Sequence, residues 1–151
     1  MVGLAEPGKR DETNTEAGSD PIFADVQVHA HWVLPAIDGI LKEQPQLTFT
    51  AQDVYAACEE GTAVLWVADE GFVVSSGETD PFTGERTFLV WLAWARELGQ
   101  NCVVKHYSFF AKAAKEAGFK TIEVRTPIPK MERYLLSEGW DKDTVIYTRE
   151  L

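Results

Sequence analysis

The chain has 151 residues, 45% of them hydrophobic, and 14 basic against 24 acidic side chains give it a net charge of −10. That length suits one domain with a core large enough to hold without covalent staples, and an acidic field repels phosphate backbones and anionic headgroups, which excludes nucleic acid as a principal partner. Cys58 and Cys102 lie in separate predicted helices and read as buried thiols, no run reaches the length of a membrane span, and the N-terminus lacks signal-peptide character, so a soluble, cytoplasmic protein is expected.

Residues 1–21 read as a flexible acidic arm, poor in large apolar side chains and rich in Gly, Glu, Asp, Thr and Ser. Such a segment does not offset its own ordering entropy, so an ordered arm implies partner chains or neighbouring copies that hold residues 1–20. The remainder, 22–151, reads as one domain. Ala24 to Val28 suggests a short extended piece, and Val33, Ile37, Ile40 and Leu41 mark a helix over 32–43 with Pro35 near its start or at a kink. Thr50 followed by Asp53 is a capping pattern that opens a helix over Ala51 to Glu60, stopped by Gly61. Thr62–Ala68 and Phe72–Ser76 flank Asp69-Glu70-Gly71, a hairpin signal in which Gly71 is expected to supply a positive φ. Gly77–Glu85 reads as a polar connection.

Thr87 to Ala95 is apolar at both parities, with Thr87, Leu89, Trp91 and Ala93 on one face and Phe88, Val90, Leu92 and Trp94 on the other. A strand apolar on both faces is central, with layers above and below. A polar turn, Arg96–Asn101, leads to a helix whose Val103, Tyr107, Phe110, Ala114 and Ala117 predict a face on the sheet. Lys105, Lys112 and Lys115 predict its solvated face, with Phe109 among them as a candidate contact residue. The N–H groups around Gln100 to Val103 are expected to face an anion. Lys120 to Thr126 comes next as a strand parallel to the central one through a right-handed crossover. Pro127 and Pro129 then break the chain before a short helix, Lys130–Glu138, ended by Gly139-Trp140, and Asp143–Arg149 alternates as a final antiparallel strand. The five tryptophans read as core.

This order of elements, with Arg96-Glu97-Leu98-Gly99-Gln100-Asn101 directly after the central strand and Tyr134-Leu135-Leu136-Ser137-Glu138-Gly139-Trp140 near the end, resembles the GNAT superfamily of N-acetyltransferases. The resemblance implies a single α/β domain of GNAT type, with a mixed, mostly antiparallel sheet, helices on both faces and one parallel crossover pair. It implies acetyl-CoA as acyl donor, held by Trp94, Ala95, Arg96, Gly99, Gln100 and Asn101, and direct attack by an amine. Asn101 stands where the family pattern has Gly or Ala, and the family's acidic Tyr falls at Leu135, one residue after Tyr134. Tyr134 and Glu123 are the catalytic candidates, with Glu85, His31 and His106 as other substitutes for a base, since the central strand carries no carboxylate.

Residues 26–149 look most like the small GNAT-like proteins of tailed phages, on Thr50-Ala51-Gln52-Asp53-Val54, Gly61-Thr62-Ala63-Val64-Leu65-Trp66, Arg125-Thr126-Pro127 and Met131-Glu132-Arg133. That likeness leaves two readings open: an N-acyltransferase, or a non-catalytic virion component bound to partner chains through residues 1–20.

Overall fold

Asp25 sets the first helix by accepting the Gln27 backbone N–H at 2.9 Å, an N-cap that satisfies one of the free donors of the first turn. The structure is a computed structural model that describes residues 20–126 and 128–151. Strand β1 (Ile22–Ala24) precedes this cap, and helix α1 runs Val26–Glu43, so the extended piece expected over 24–28 gives way to helix at Val26. Val26, Val33, Ile37 and Ile40 make its buried stripe. Pro35 lies inside α1 but on the exposed side, so the His31 carbonyl that loses its amide donor is left facing water. Helix α2 (Ala51–Glu60) carries the expected capping box, Thr50 Oγ1 accepting from Asp53 N at 3.1 Å and Asp53 Oδ2 from Thr50 N at 2.8 Å.

Strands β2 (Ala63–Val67), β3 (Gly71–Thr79) and β4 (Arg86–Ala95) form the predicted antiparallel meander, with β1 outside β2. Gly77 to Thr79 belong to β3 rather than to a polar connection. Helices α3 (Cys102–Lys105) and α4 (Tyr107–Glu116) return the chain to β5 (Thr121–Val124), which pairs with β4 in parallel. The sheet order is β1-β2-β3-β4-β5, and α5 (Pro129–Ser137) comes after it in the chain. One core lies under α1 and α2, built on Leu65, Phe72, Val74 and Leu92. The other lies under α3 and α4, built on Val73, Phe88, Val90 and Phe110. This is the α/β architecture expected, with helices on both faces of a mixed sheet.

Four further expectations change. Gly71 is not among the glycines with positive φ; a Cβ there would stand 1.9 Å from the Trp94 carbonyl oxygen, so close backbone approach is what requires glycine. The helix after the turn is interrupted at His106, which is buried, while Tyr107 and Ala117 are exposed. Phe109 is half-buried, edge-on to Trp66 at 5.7 Å, rather than a free contact residue. Asp143–Arg149 is exposed and, among the described residues, pairs with no strand. The expectations for the arm at residues 1–19, and for the chain break at Pro127, lie outside the described residues, while Pro21, assigned to the arm, is buried directly before β1.

A hindered and an unhindered glycine give opposite predictions. Gly71→Ala is expected to destabilise the fold by on the order of 3 kcal/mol, since backbone must shift. Gly39→Ala, with nothing within 4 Å of the new Cβ and a helical position in α1, is expected to stabilise by about 0.5–1 kcal/mol. Urea denaturation monitored by circular dichroism checks both; equal midpoints would remove the close-approach argument.

Candidate active site

The site begins with a register shift. Val74 pairs with Leu92 and Ser75 with Val90, which leaves Trp91 as an extra residue in β4, the pattern of a β-bulge. Before it, Phe88 and Val90 face the α4 core; after it, Ala93 and Ala95 do, while Trp91, Leu92 and Trp94 turn to α1. The uniform alternation expected over Thr87–Ala95 is thus reversed half-way. The last pair between β4 and β5 is Val90 with Val124, one residue before the bulge. From Trp91 to Ala95, about 13 Å of strand, β4 has β3 on one side and, among the described residues, no strand on the other.

A cleft of about 810 Å³ opens along that free edge. Its floor is Val90–Ala95, one end is the turn Glu97–Asn101, the far wall is Val124–Thr126 with Ile128, Met131, Tyr134 and Leu135, and the α1 end contributes Gly39, Glu43 and Leu47. Gly99 shapes the turn with φ +85°, a conformation L side chains rarely adopt. Asn101 is buried, and its Oδ1 accepts from Val103 N at 2.9 Å and Val104 N at 3.0 Å. Two of the N–H groups of the helix start, one of them expected to face an anion, are therefore already taken. Its Nδ2 reaches Met131 Sδ at 3.7 Å, which brings the turn against α5.

Of the residues proposed from sequence, Trp94, Ala95, Gly99, Gln100, Asn101 and Tyr134 line the cleft. Arg96 is directed elsewhere: its guanidinium lies 4.6 Å from the centre of the Trp32 ring and its Nε donates to the Asp69 carbonyl at 3.1 Å. Glu123 is bound to Arg125 at 2.9 Å, and Arg125 also to Glu78 at 2.8 Å. Glu85 pairs with Lys120 at 2.7 Å. Tyr134 is partly exposed, and burial together with Glu138 raises its phenol above the ordinary range.

Three residues carry roles the sequence reading missed. Glu43 lines the cleft from the last residue of α1, where a carboxylate opposes the helix dipole; that misplaced charge was a readable signal. Lys130 lines the cleft with no ion-pair partner among the described residues. Glu70 is buried beneath the turn, its carboxylate held by Lys105 Nζ and, at 2.8 Å, by His106 Nε2, and its carbonyl accepts the Arg96 N–H at 2.8 Å. Lys105, expected to be merely solvated, thus secures the hairpin to the helix break. Burial pushes the Glu70 carboxyl up, but the bonds from His106 and Lys105 outweigh it and hold it at about 2. Cys102 is pushed up to about 12 and Cys58 to about 11, both by burial, as inert thiols are. Among the described residues no cluster of His, Cys, Asp and Glu could hold a metal ion, and no helix is long and apolar enough to cross a membrane.

No protein-family model matches the sequence, and no curated protein matches it. Solved structures do match by shape. A ribosomal-protein-alanine N-acetyltransferase from Brucella melitensis biovar Abortus 2308 superposes with a TM-score of 0.66 at 17% identity, over 89% of this chain and 99% of its own. An aminoglycoside acetyltransferase from an uncultured soil metagenomic sample, solved with sisomicin, gives 0.64 at 9% identity over 90% and 98%. Glucosamine-6-phosphate N-acetyltransferase from Arabidopsis thaliana gives 0.60 at 9% identity over 87% and 97%. The fold is that of the GNAT acetyltransferases. At these identities the likeness concerns the GNAT fold and not the chemistry of any one neighbour.

The Glu70 tie predicts how stability depends on pH. Its folded value of about 2 lies below the ordinary 4.5, so the unfolded chain takes up the proton first, and the stabilisation is complete above about pH 4.5 and lost as pH falls towards 2. The shift corresponds to about 3 kcal/mol. Glu70→Gln should lose most of that at neutral pH and show a flatter decline between pH 4.5 and 2 than the wild type; parallel urea-midpoint curves for the two proteins would show that the tie contributes nothing.

Proposed function

We propose that this chain is a GNAT-fold N-acyltransferase that takes acetyl-CoA as acyl donor and a cationic amine as acceptor in the cleft between β4 and β5. The observation that carries the reading is the free edge of β4 from Trp91 to Ala95, bordering a cavity of about 810 Å³. An extended amide-bearing chain such as the pantetheine arm pairs with an open strand edge through main-chain hydrogen bonds. The phosphate end would rest on the turn Glu97–Asn101, with Lys130 as its cation, because Arg96 is committed to Trp32 and Asp69. The fit is close along the strand and partial at the turn, where Asn101 already occupies two N–H groups.

In this reading acetyl-CoA supplies the activated acyl group, and the chain's own residues place and discharge protons. Glu43, facing the cleft from the end of α1, draws the protonated amine and accepts its proton before attack on the thioester carbonyl. Tyr134, whose raised phenol stays protonated at neutral pH, gives its proton to the departing thiolate. Glu123 has its charge engaged by Arg125 and acts as a support of the far wall. A protein of the cytoplasm of its cell, or of the host cell, is the matching location.

A second reading is supported by Asn101 itself. With its side chain bonded where an anion would sit and Arg96 turned away, a non-catalytic GNAT-fold component of an assembly such as a tailed-phage particle, joined to its neighbours through residues 1–20, accounts for the same turn.

Calorimetric titration with acetyl-CoA separates the two. The enzyme reading expects micromolar binding, about −8 kcal/mol, and a roughly tenfold loss for Lys130→Glu. Asn101→Ala should lower stability by about 1 kcal/mol by removing the cap, yet tighten binding because Val103 N and Val104 N are freed. Absence of heat with wild type and with Asn101→Ala alike would leave the non-catalytic reading.

A further inference from the structure

Among the described residues nothing in the packing requires position 39 to be glycine. It lies inside helix α1, where glycine costs stability relative to alanine, and its φ is not positive. A Cβ there meets no atom within 4 Å beyond the helix's own backbone, so no close approach excludes a side chain. What Gly39 does border is the cleft, with Glu43 one turn further along the same face of the helix. Helical side chains lean towards the N-terminus, so the Glu43 stem leans over the bare stretch at Gly39. Its carboxylate has no hydrogen bond or ion pair among the described residues, and its neighbours three and four residues away, Gly39, Ile40, Gln46 and Leu47, include no cation. The rest of this end is largely apolar: Ile40, Leu47 and Trp91 line it, and Phe49 backs Trp91 at 5.1 Å. Glu43 is the one carboxylate here among the described residues, because Glu97, the other acidic lining residue, belongs to the turn at the opposite end.

We propose that Gly39 keeps open a slot for the acceptor, and that the acceptor is a primary amine with a single positive charge on an apolar, ring-sized body. The inference rests on the acyltransferase reading above, whose acceptor it narrows. The ammonium group pairs with Glu43, and the body lies on the bare helix surface at Gly39 with Ile40, Leu47 and Trp91 around it. One carboxylate matches one charge. A second ammonium group on the same molecule, as in a polyamine or an amino sugar with several amines, is held against apolar side chains without a partner, which costs free energy. A short alkylamine meets the same carboxylate but leaves the slot empty and forgoes the apolar contact. The long-range field of a chain with a charge of −10 acts the other way, because it attracts a polycation more strongly than a monocation. A preference for the monoamine therefore comes from the slot or not at all. Glycine at position 39 is then stability given up for room, in keeping with the gain expected for Gly39→Ala in the absence of a ligand.

Calorimetric titration of phenethylamine, ethylamine and spermidine into the full chain at moderate salt, with and without coenzyme A, tests this on wild type, Gly39→Leu and Glu43→Gln. Leucine is a good helix former, so Gly39→Leu is expected to keep the fold, which circular dichroism checks; the wild-type ranking reads out independently of both variants. Wild type should bind phenethylamine about tenfold more tightly than ethylamine or spermidine. Gly39→Leu should lose about tenfold more affinity for phenethylamine than for ethylamine, and Glu43→Gln should weaken both. Spermidine bound as tightly as phenethylamine overturns the inference. So do equal effects of Gly39→Leu on the two monoamines, which would place the apolar body elsewhere, and so does absence of binding by every amine in both conditions. Addition of acetyl-CoA separates this inference from the reading it rests on. Phenethylamine that binds through Gly39 and Glu43 but is not acetylated removes the transferase and leaves the slot, whereas acetylation of spermidine in preference to phenethylamine keeps the transferase and removes the slot.

Discussion

The extra residue in β4 is the constraint on which the rest depends. Had β4 kept strict alternation, Trp94 would share a face with Phe88 and Val90 and point into the α4 core, which Phe110 already fills. The bulge at Trp91 instead sends Trp94 to the α1 side, where it stacks on Phe72 at 5.7 Å and meets Trp32 at 6.0 Å. A bulge also bends the strand and increases its twist. The bend falls where β5 stops pairing, so the residue that reassigns the aromatics also ends the β4–β5 ladder. Phe49 packs on Trp91 at 5.1 Å and fixes the bulged side chain against the loop that closes the α1 end of the cleft.

One wall of the cleft is therefore bound to the body and the other only lightly so. On the β3 side, pairing continues to Gly71 and Ala95, the missing Cβ of Gly71 admits the Trp94 carbonyl, and Glu70 ties the hairpin to both Arg96 and the helix break at His106. On the β5 side, four residues pair with β4, and beyond Val124 the wall is carried by α5 through Met131 and Leu135. The commitment of Arg96 stems from the first wall. Its guanidinium covers the Trp32 face and bonds the Asp69 carbonyl, a cation–π and hydrogen-bonded position that closes the aromatic cluster and removes a charge from the cleft.

Much of this was legible in the sequence because it rests on local rules. The α2 box, the meander, the parallel crossover and the turn after β4 arise from caps, turn residues and apolar runs. The illegible part is non-local. A bulge has no composition of its own in a strand apolar at both parities, since either face of Trp91 or Leu92 satisfies the pattern. Lys105 reads as solvated and His106 as a substitute base because their partner, Glu70, lies thirty-five and thirty-six residues away. Gly71 was assigned to turn geometry because the Trp94 carbonyl that excludes a side chain is distant in sequence. At the C-terminus the local signal for a strand is clear, but a strand needs an edge to bind, and among the described residues Asp143–Arg149 pairs with none.

The fold supplies the cavity and the open strand edge; the affinity for an anion is decided residue by residue at one end of it. The chain's charge of −10 works against a phosphate-bearing ligand and in favour of a cationic one at long range. Within the cleft, Glu43 and Glu97 stand against Arg125 and Lys130, and Arg125 is neutralised by Glu78 and Glu123. At physiological ionic strength charges beyond about 8 Å are largely screened, so a bound phosphate would sense the turn, Lys130 and few other groups. Its binding then turns on main-chain N–H groups that a single carboxamide, that of Asn101, already holds. An amine meets no such obstacle: the field attracts it and Glu43 faces it. In the proposed reading, the end of the cleft beside Glu43 suits a cationic acceptor by charge alone, while phosphate binding at the other end depends on whether it displaces Asn101 from its own helix cap.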